Sequence, residues 1–98
     1  MSVVAEFSMF PVGAGESVGD AVARVVDVVR QRGIRYQLGP MGTAIEGSWT
    51  EVQATLDACW QVLAQDHDRV YMVVKVDGRR GKDNQLDGKV DAVERRLR

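Results

Sequence analysis

The stretch Tyr36–Gly47, YQLGPMGTAIEG, decides how the chain is read. A short β-type run, Tyr36-Gln37-Leu38, breaks at Gly39-Pro40 and resumes at Thr43-Ala44-Ile45 before Glu46-Gly47. Pro40 fixes its own φ and pushes Gly39 away from helix, and Gly42 suits the unusual backbone angles of a chain reversal. The spacing predicts two strands joined by a rigid turn.

Outward from this hairpin the same kinds of signal recur. Upstream, Val3–Pro11 alternates so that Ala5, Phe7 and Met9 share one face and Val4, Glu6, Ser8 and Phe10 the other, the pattern of a strand with one core face. Ser17 and Asp20 then form a helix-starting pair for a segment with Val18, Val22, Val25 and Val29 at helical spacing, stopped by Gly33. Its valines are poor helix formers, so packing must hold it helical. Downstream, Ser48 with Glu51 reads as a capping box for a second helix carrying Val52, Leu56, Cys59 and Leu63 and ending near His67. Val70–Val76 is the clearest strand, and Asp77-Gly78 ends it.

The order β-α-β-β-α-β is the ferredoxin-like pattern, an α+β fold with a four-stranded antiparallel sheet. Right-handed crossovers place both helices on one side of the sheet and leave the other side open. A third, C-terminal helix follows, with Asp83 or Asn84 as its cap and Leu86, Val90, Val93 and Leu97 as an apolar stripe. An open sheet face and an amphipathic tail on so small a body both call for a partner, and a closed homodimer or homotetramer is expected. The alternative is a monomer whose third helix folds back over its own sheet.

Length and composition bound the function. Ninety-eight residues fit one domain, 1–98, and a formal net charge of −1 with 28% charged residues lacks the basic excess of a nucleic-acid binder. The single cysteine, Cys59, sits in an apolar helical pattern and reads as a core thiol. No apolar run is long enough to span a membrane, the first residues lack the pattern of a signal peptide, and the cytoplasm is the expected location.

Chemistry-bearing patterns are few. Gly13–Gly19 departs from the dinucleotide and P-loop fingerprints and reads as a connector. Arg79, Arg80 and Lys82 precede the third helix and suit an anion or plain solvation. His67, flanked by Asp66 and Asp68, has no ligand-spaced partner, so no metal is expected. Trp49 and Trp60, three helical turns apart, suit core or interface packing better than stacking on a ligand. No nucleophile-base-orienter set is present, which argues against hydrolysis. More informative are the polar residues on apolar strands. Glu6, Ser8, Gln37 and Glu46 would offer hydrogen bonds and negative charge to a flat cationic molecule, unless Lys75 on a flanking strand neutralises Glu6.

The FSMFPVG run, the YQLGPMGTAIEG hairpin and the tail DGRRGKDNQLDGKVDAVERRL together resemble the YkoF-like thiamine-binding family, over nearly the whole chain. That resemblance implies a ferredoxin-like fold, assembly into dimers or tetramers, and binding of thiamine or its hydroxymethylpyrimidine part as a ligand, with no catalysis and no cofactor. Carried onto this sequence, the motif positions are Ser8, Gln37, Met41, Gly42, Thr43 and Glu46, with Glu6 beside them. Parity puts Thr43 and Glu46 on opposite faces of one strand, so either a bulge near Gly47 re-aims one of them or only one lines a pocket. A thiamine-free oligomeric scaffold and an accessory enzyme of thiamine pyrimidine metabolism are the alternatives.

Overall fold

The computed structural model describes every residue except Ala14, Glu16, Ser17 and Arg98. The expected capping role of Ser17 lies outside the described residues. The elements are β1 (Ser2–Pro11), α1 (Gly19–Gln31), β2 (Arg35–Leu38), β3 (Thr43–Ser48), α2 (Trp49–Ala64), β4 (Val70–Gly78) and α3 (Gln85–Arg96). The strands form one antiparallel sheet in the order β2-β3-β1-β4. This is the expected ferredoxin-like α+β architecture with an extra C-terminal helix.

The core lies between the sheet and the α1/α2 layer. Val3, Ala5, Phe7 and Met9 project into it from β1, Ile45 from β3, Val25 and Val29 from α1, and Val52, Cys59 and Leu63 from α2. Burying each of the large aliphatic side chains among these contributes about 1.5–3 kcal/mol, which is how a helix with five valines holds its shape. The two helices are also stitched together. Arg24 donates to the Val62 carbonyl at 2.9 Å, and Arg32 donates to the Thr55 hydroxyl at 3.2 Å. Gly33, at φ +72°, ends α1 in the left-handed conformation that glycine adopts without strain. Ser48 and Glu51 form the capping box of α2 as the spacing predicts.

Helix α2 runs to Ala64 and its closing turn carries the chain to His67, whose N–H donates to the Leu63 carbonyl at 3.1 Å, near the expected end. Three expectations are corrected. Neither Asp83 nor Asn84 caps α3 with its side chain: Asn84 is in the left-handed region at φ 56°, and a strand residue supplies the cap instead. The glycines of the β2–β3 turn are needed for space rather than for unusual angles, since a Cβ on Gly42 would stand 3.0 Å from the Phe7 carbonyl oxygen. Of the two packing roles expected for Trp49 and Trp60, the core is ruled out: they remain 47% and 37% exposed on α2.

Candidate functional site

The β1–β3 register runs without a bulge from Ser2↔Ser48 to Phe7↔Thr43. Strand alternation therefore acts undisturbed, and Thr43 and Glu46 serve opposite faces of the sheet. Thr43 is buried toward the helix layer, while Glu46 lies on the open side. The motif read as one stretch divides into two places.

The first place is a cleft. Because β3 begins at Thr43, residues Ser8–Pro11 of β1 run on past it without a β3 partner. The Gly39–Gly42 turn, closed by Gly39 N–H donating to the Gly42 carbonyl at 2.8 Å, stands across the gap. Between them and α1 opens a cavity of about 350 Å³, lined by Ser8, Met41, Gly42 and Thr43 together with apolar Phe7, Met9, Val22, Val25, Val26 and Leu38. Four of the seven predicted site residues meet here. Met41 is 88% exposed and overhangs the mouth. Glu6 lies at the edge, its Cγ 3.5 Å from where a Gly42 Cβ would stand, and its carboxylate pairs with Lys75 Nζ at 3.2 Å. The expected neutralising partner of Glu6 is thus present.

Sequence reasoning missed the backbone contribution. The Phe7 carbonyl points to the β3 side of β1, as its closeness to Gly42 requires. Two residues further on, the same alternation turns the N–H and C=O of Met9 to that side, where β3 has ended and the cleft begins. A buried donor and acceptor from one residue, with the hydroxyls of Ser8 and Thr43 nearby, make a polar edge in an apolar cavity. Only the strand register reveals this; residue type alone carries no signal for it.

The second place is polar and closed. Glu46 has a side chain only 5% exposed, and its carboxylate accepts from the Gln85 N–H at 2.6 Å and the Leu86 N–H at 3.3 Å, the first amides of α3. Arg35 Nη1 reaches the same carboxylate at 3.4 Å and donates to Asn84 Oδ1 at 2.7 Å, while Arg35 Nη2 pairs with Asp87 at 2.6 Å. Negative charge at a helix N-terminus is favourable, so Glu46 fastens α3 to the sheet. Leu86 is buried beneath α3, whereas Val90, Val93 and Leu97 of the predicted stripe stay exposed. Gln37 lies on this side too, opposite Ala44 and along the groove by Leu86 and Asp87.

Beside Glu46 is a small cavity of about 80 Å³ lined by Arg79, Lys82, Lys89, Asp77 and Gln85 among others. The α3 amides that would hold an anion there already hold Glu46. Lys89 donates to Asp77, and that bond, with the lysine's charge, lowers the Asp77 pKa from its ordinary value. On the core side, burial pushes the Cys59 thiol up to about 11, only partly offset by the charge of Arg32. Such a thiol is not a nucleophile near neutral pH. Among the described residues no group of three or more His, Cys, Asp or Glu could hold a metal ion. Nor is any described helix long and apolar enough to cross a membrane.

Comparison with known proteins places this geometry in a family. A family model described as "Thiamine-binding protein" matches residues 5–94. The chain belongs to that family. Among its relatives, a UPF0045 protein of Mycobacterium bovis is 42% identical over 98 residues, covering 99% of this chain and 96% of the relative. The solved structure of the hypothetical protein MJ1052 of Methanocaldococcus jannaschii superposes with a TM-score of 0.88 at 31% identity, covering 95% of this chain and 96% of that one. A domain of unknown function from Bacillus cereus superposes with a TM-score of 0.80 at 27% identity, over 91% of this chain and 86% of its own. The family resemblance expected from the FSMFPVG and YQLGPMGTAIEG segments is thereby confirmed.

Proposed function

We propose that this chain binds thiamine, or its hydroxymethylpyrimidine part, without catalysis, in the cleft beside the Gly39–Gly42 turn, as a cytoplasmic homo-oligomer. The observation that carries the reading is the cleft itself. It is an apolar cavity of about 350 Å³ with a few convergent polar groups, within the usual range for small-molecule sites. The family's description as thiamine-binding supports the choice of ligand.

An aminopyrimidine presents a ring nitrogen and an amino group side by side, one acceptor and one donor. The Met9 N–H and C=O complement that pair, with the Ser8 and Thr43 hydroxyls as further partners. Met41 and the α1 valines would cover the ring faces, and Glu6 at the edge would face the thiazolium charge once its bond to Lys75 is shared. Gln37 and Glu46 belong, in this reading, to the α3 side and support the fold rather than the ligand.

The test is a calorimetric titration with thiamine and, separately, with hydroxymethylpyrimidine. Saturable heat with one site per chain is expected for both. A thiamine analogue carrying oxygen in place of the pyrimidine amino group should bind at least about tenfold more weakly, since it leaves the Met9 carbonyl facing an acceptor. Absence of heat up to millimolar ligand, where binding is worth only about 4 kcal/mol, would overturn the reading and leave a thiamine-free scaffold.

A further inference from the structure

The charges around the cleft are few and unevenly placed. No lysine, arginine or histidine is among the described residues that line it, whose polar groups are hydroxyls and main chain. The charge at its edge is that of Glu6, whose Cγ lies 3.5 Å from where a Gly42 Cβ would stand. Lys75 Nζ pairs with the Glu6 carboxylate at 3.2 Å, but from the other side. Register fixes the order: Glu6 of β1 stands opposite Ala44 of β3 toward the cleft and opposite Lys75 of β4 away from it. Neighbouring strands are about 4.7–4.9 Å apart, so the lysine stems from one strand further off than the glutamate. A ligand in the cleft meets the carboxylate before the ammonium.

Other cations lie elsewhere or are already matched. Arg79, Lys82 and Lys89 gather beside Glu46, at the α3 end of the sheet. The groove between α1 and β2 shares Val22, Val26 and Leu38 with the cleft and carries Arg30, which pairs with Asp27 at 2.6 Å. Helix α1, which walls the cleft, has Asp20 in its first turn, and that carboxylate offsets the positive end of the helix dipole. A phosphate monoester carries about −1.5 to −2 charges at neutral pH. In this cleft it would shed water, find no cation among the described lining residues and face Glu6. Taking a charge out of water without a partner is costly.

We infer that the Glu6–Lys75 pair sets the charge selectivity of the cleft, admitting the free alcohols thiamine and hydroxymethylpyrimidine and rejecting their phosphate esters. The inference rests on the ligand reading above and narrows it to the unphosphorylated class. Glu6 attracts the thiazolium cation and repels phosphate. Lys75 moderates both effects by masking part of the carboxylate's charge. The two side chains are 51% and 80% exposed, so solvent screens the pair and each member is worth a severalfold effect. Selection of this kind acts against the wrong ligand as much as for the right one.

Calorimetry on the full chain tests this with thiamine, hydroxymethylpyrimidine, thiamine monophosphate and thiamine diphosphate, each against the unaltered protein, Glu6→Gln and Lys75→Met. The unaltered protein should bind both phosphate esters at least about tenfold more weakly than thiamine. Hydroxymethylpyrimidine, which is neutral, is the reference that absorbs any general change in the cleft. Relative to it, Glu6→Gln should weaken thiamine about threefold and tighten the esters, and Lys75→Met should do the reverse. Esters that bind as tightly as thiamine would overturn the inference while leaving the ligand reading intact. Weak ester binding whose ratio to thiamine is moved by neither variant would overturn the role of the pair, again with the ligand reading intact. No heat with thiamine or hydroxymethylpyrimidine would overturn both.

Discussion

Thr43 and Glu46 occupy one short strand, yet they belong to different worlds. At the Thr43 end the chain leaves room: a turn of small residues, an overhanging β1 and a cavity whose polar edge comes from main chain and hydroxyls. At the Glu46 end little room is left beyond a cavity of about 80 Å³, and both carboxylate oxygens are already engaged by α3 and Arg35. The difference teaches that closeness in sequence is a poor guide to shared function on a strand. A pocket needs unsatisfied groups and space; an anchor needs neither.

The largest effect that should break this contrast is at Gly42. In Gly42→Val the new Cβ would press on the Phe7 carbonyl oxygen, backbone that cannot yield cheaply. Urea unfolding should report a loss of about 1–3 kcal/mol, and thiamine heat should vanish. Next is Glu46→Ala, which strips the cap from α3. Stability should fall by about 1.5–3 kcal/mol, and hydrogen exchange at Gln85 and Leu86 should accelerate, with thiamine affinity unchanged. Loss of affinity in a variant whose cleft remains intact would rejoin the two ends into one site.

Smaller effects sharpen the picture. Met41→Ala should leave stability within about 0.5 kcal/mol, as for other exposed positions, while weakening thiamine severalfold. The titrating groups matter least. Cys59 has a raised pKa in the folded chain, so its contribution is intact below the ordinary thiol value of 9.0 and is lost as pH rises toward about 11. Alkylation at pH 8 should therefore be slow until the chain unfolds. Asp77 runs the other way: its lowered pKa favours the folded state above the ordinary value of 3.8, and that contribution disappears as pH falls through the folded value. Unfolding curves at high and low pH check both signs.

The fold was legible from the chain because each element carries its own punctuation. Gly33 and the Ser48–Glu51 box mark helix ends, and the alternation in β1 names its core face correctly. The β1 neighbours were legible too, since Glu6 and Lys75 meet as their strand positions imply. Of the seven residues expected at a site, Ser8, Met41, Gly42 and Thr43 line the cleft, and Met41, Gly42 and Thr43 were named by the family resemblance rather than by strand alternation. What escaped it depends on register and on approach across space. Asn84 looks like a cap, but its backbone angle takes it out of that role and a glutamate from the sheet fills the place. The offset between the start of β3 and the end of β1 creates the cleft, and no local pattern announces an offset. Tertiary docking also decided the third helix, where charge at its N-terminus outweighed most of its apolar stripe.

The strand order β2-β3-β1-β4 also bears on how the protein is made. Of these four strands β1 leaves the ribosome before the others, yet it is an inner strand of the finished sheet, and one of its sides stays unpaired until β4, ending at Gly78, has emerged. At about 5–20 residues per second this exposure lasts seconds. During that interval Val3, Ala5, Phe7 and Met9 depend on the neighbouring strand β3 and the two helices alone, and a nascent chain stopped before β4 carries a sticky edge where the complete one has its middle.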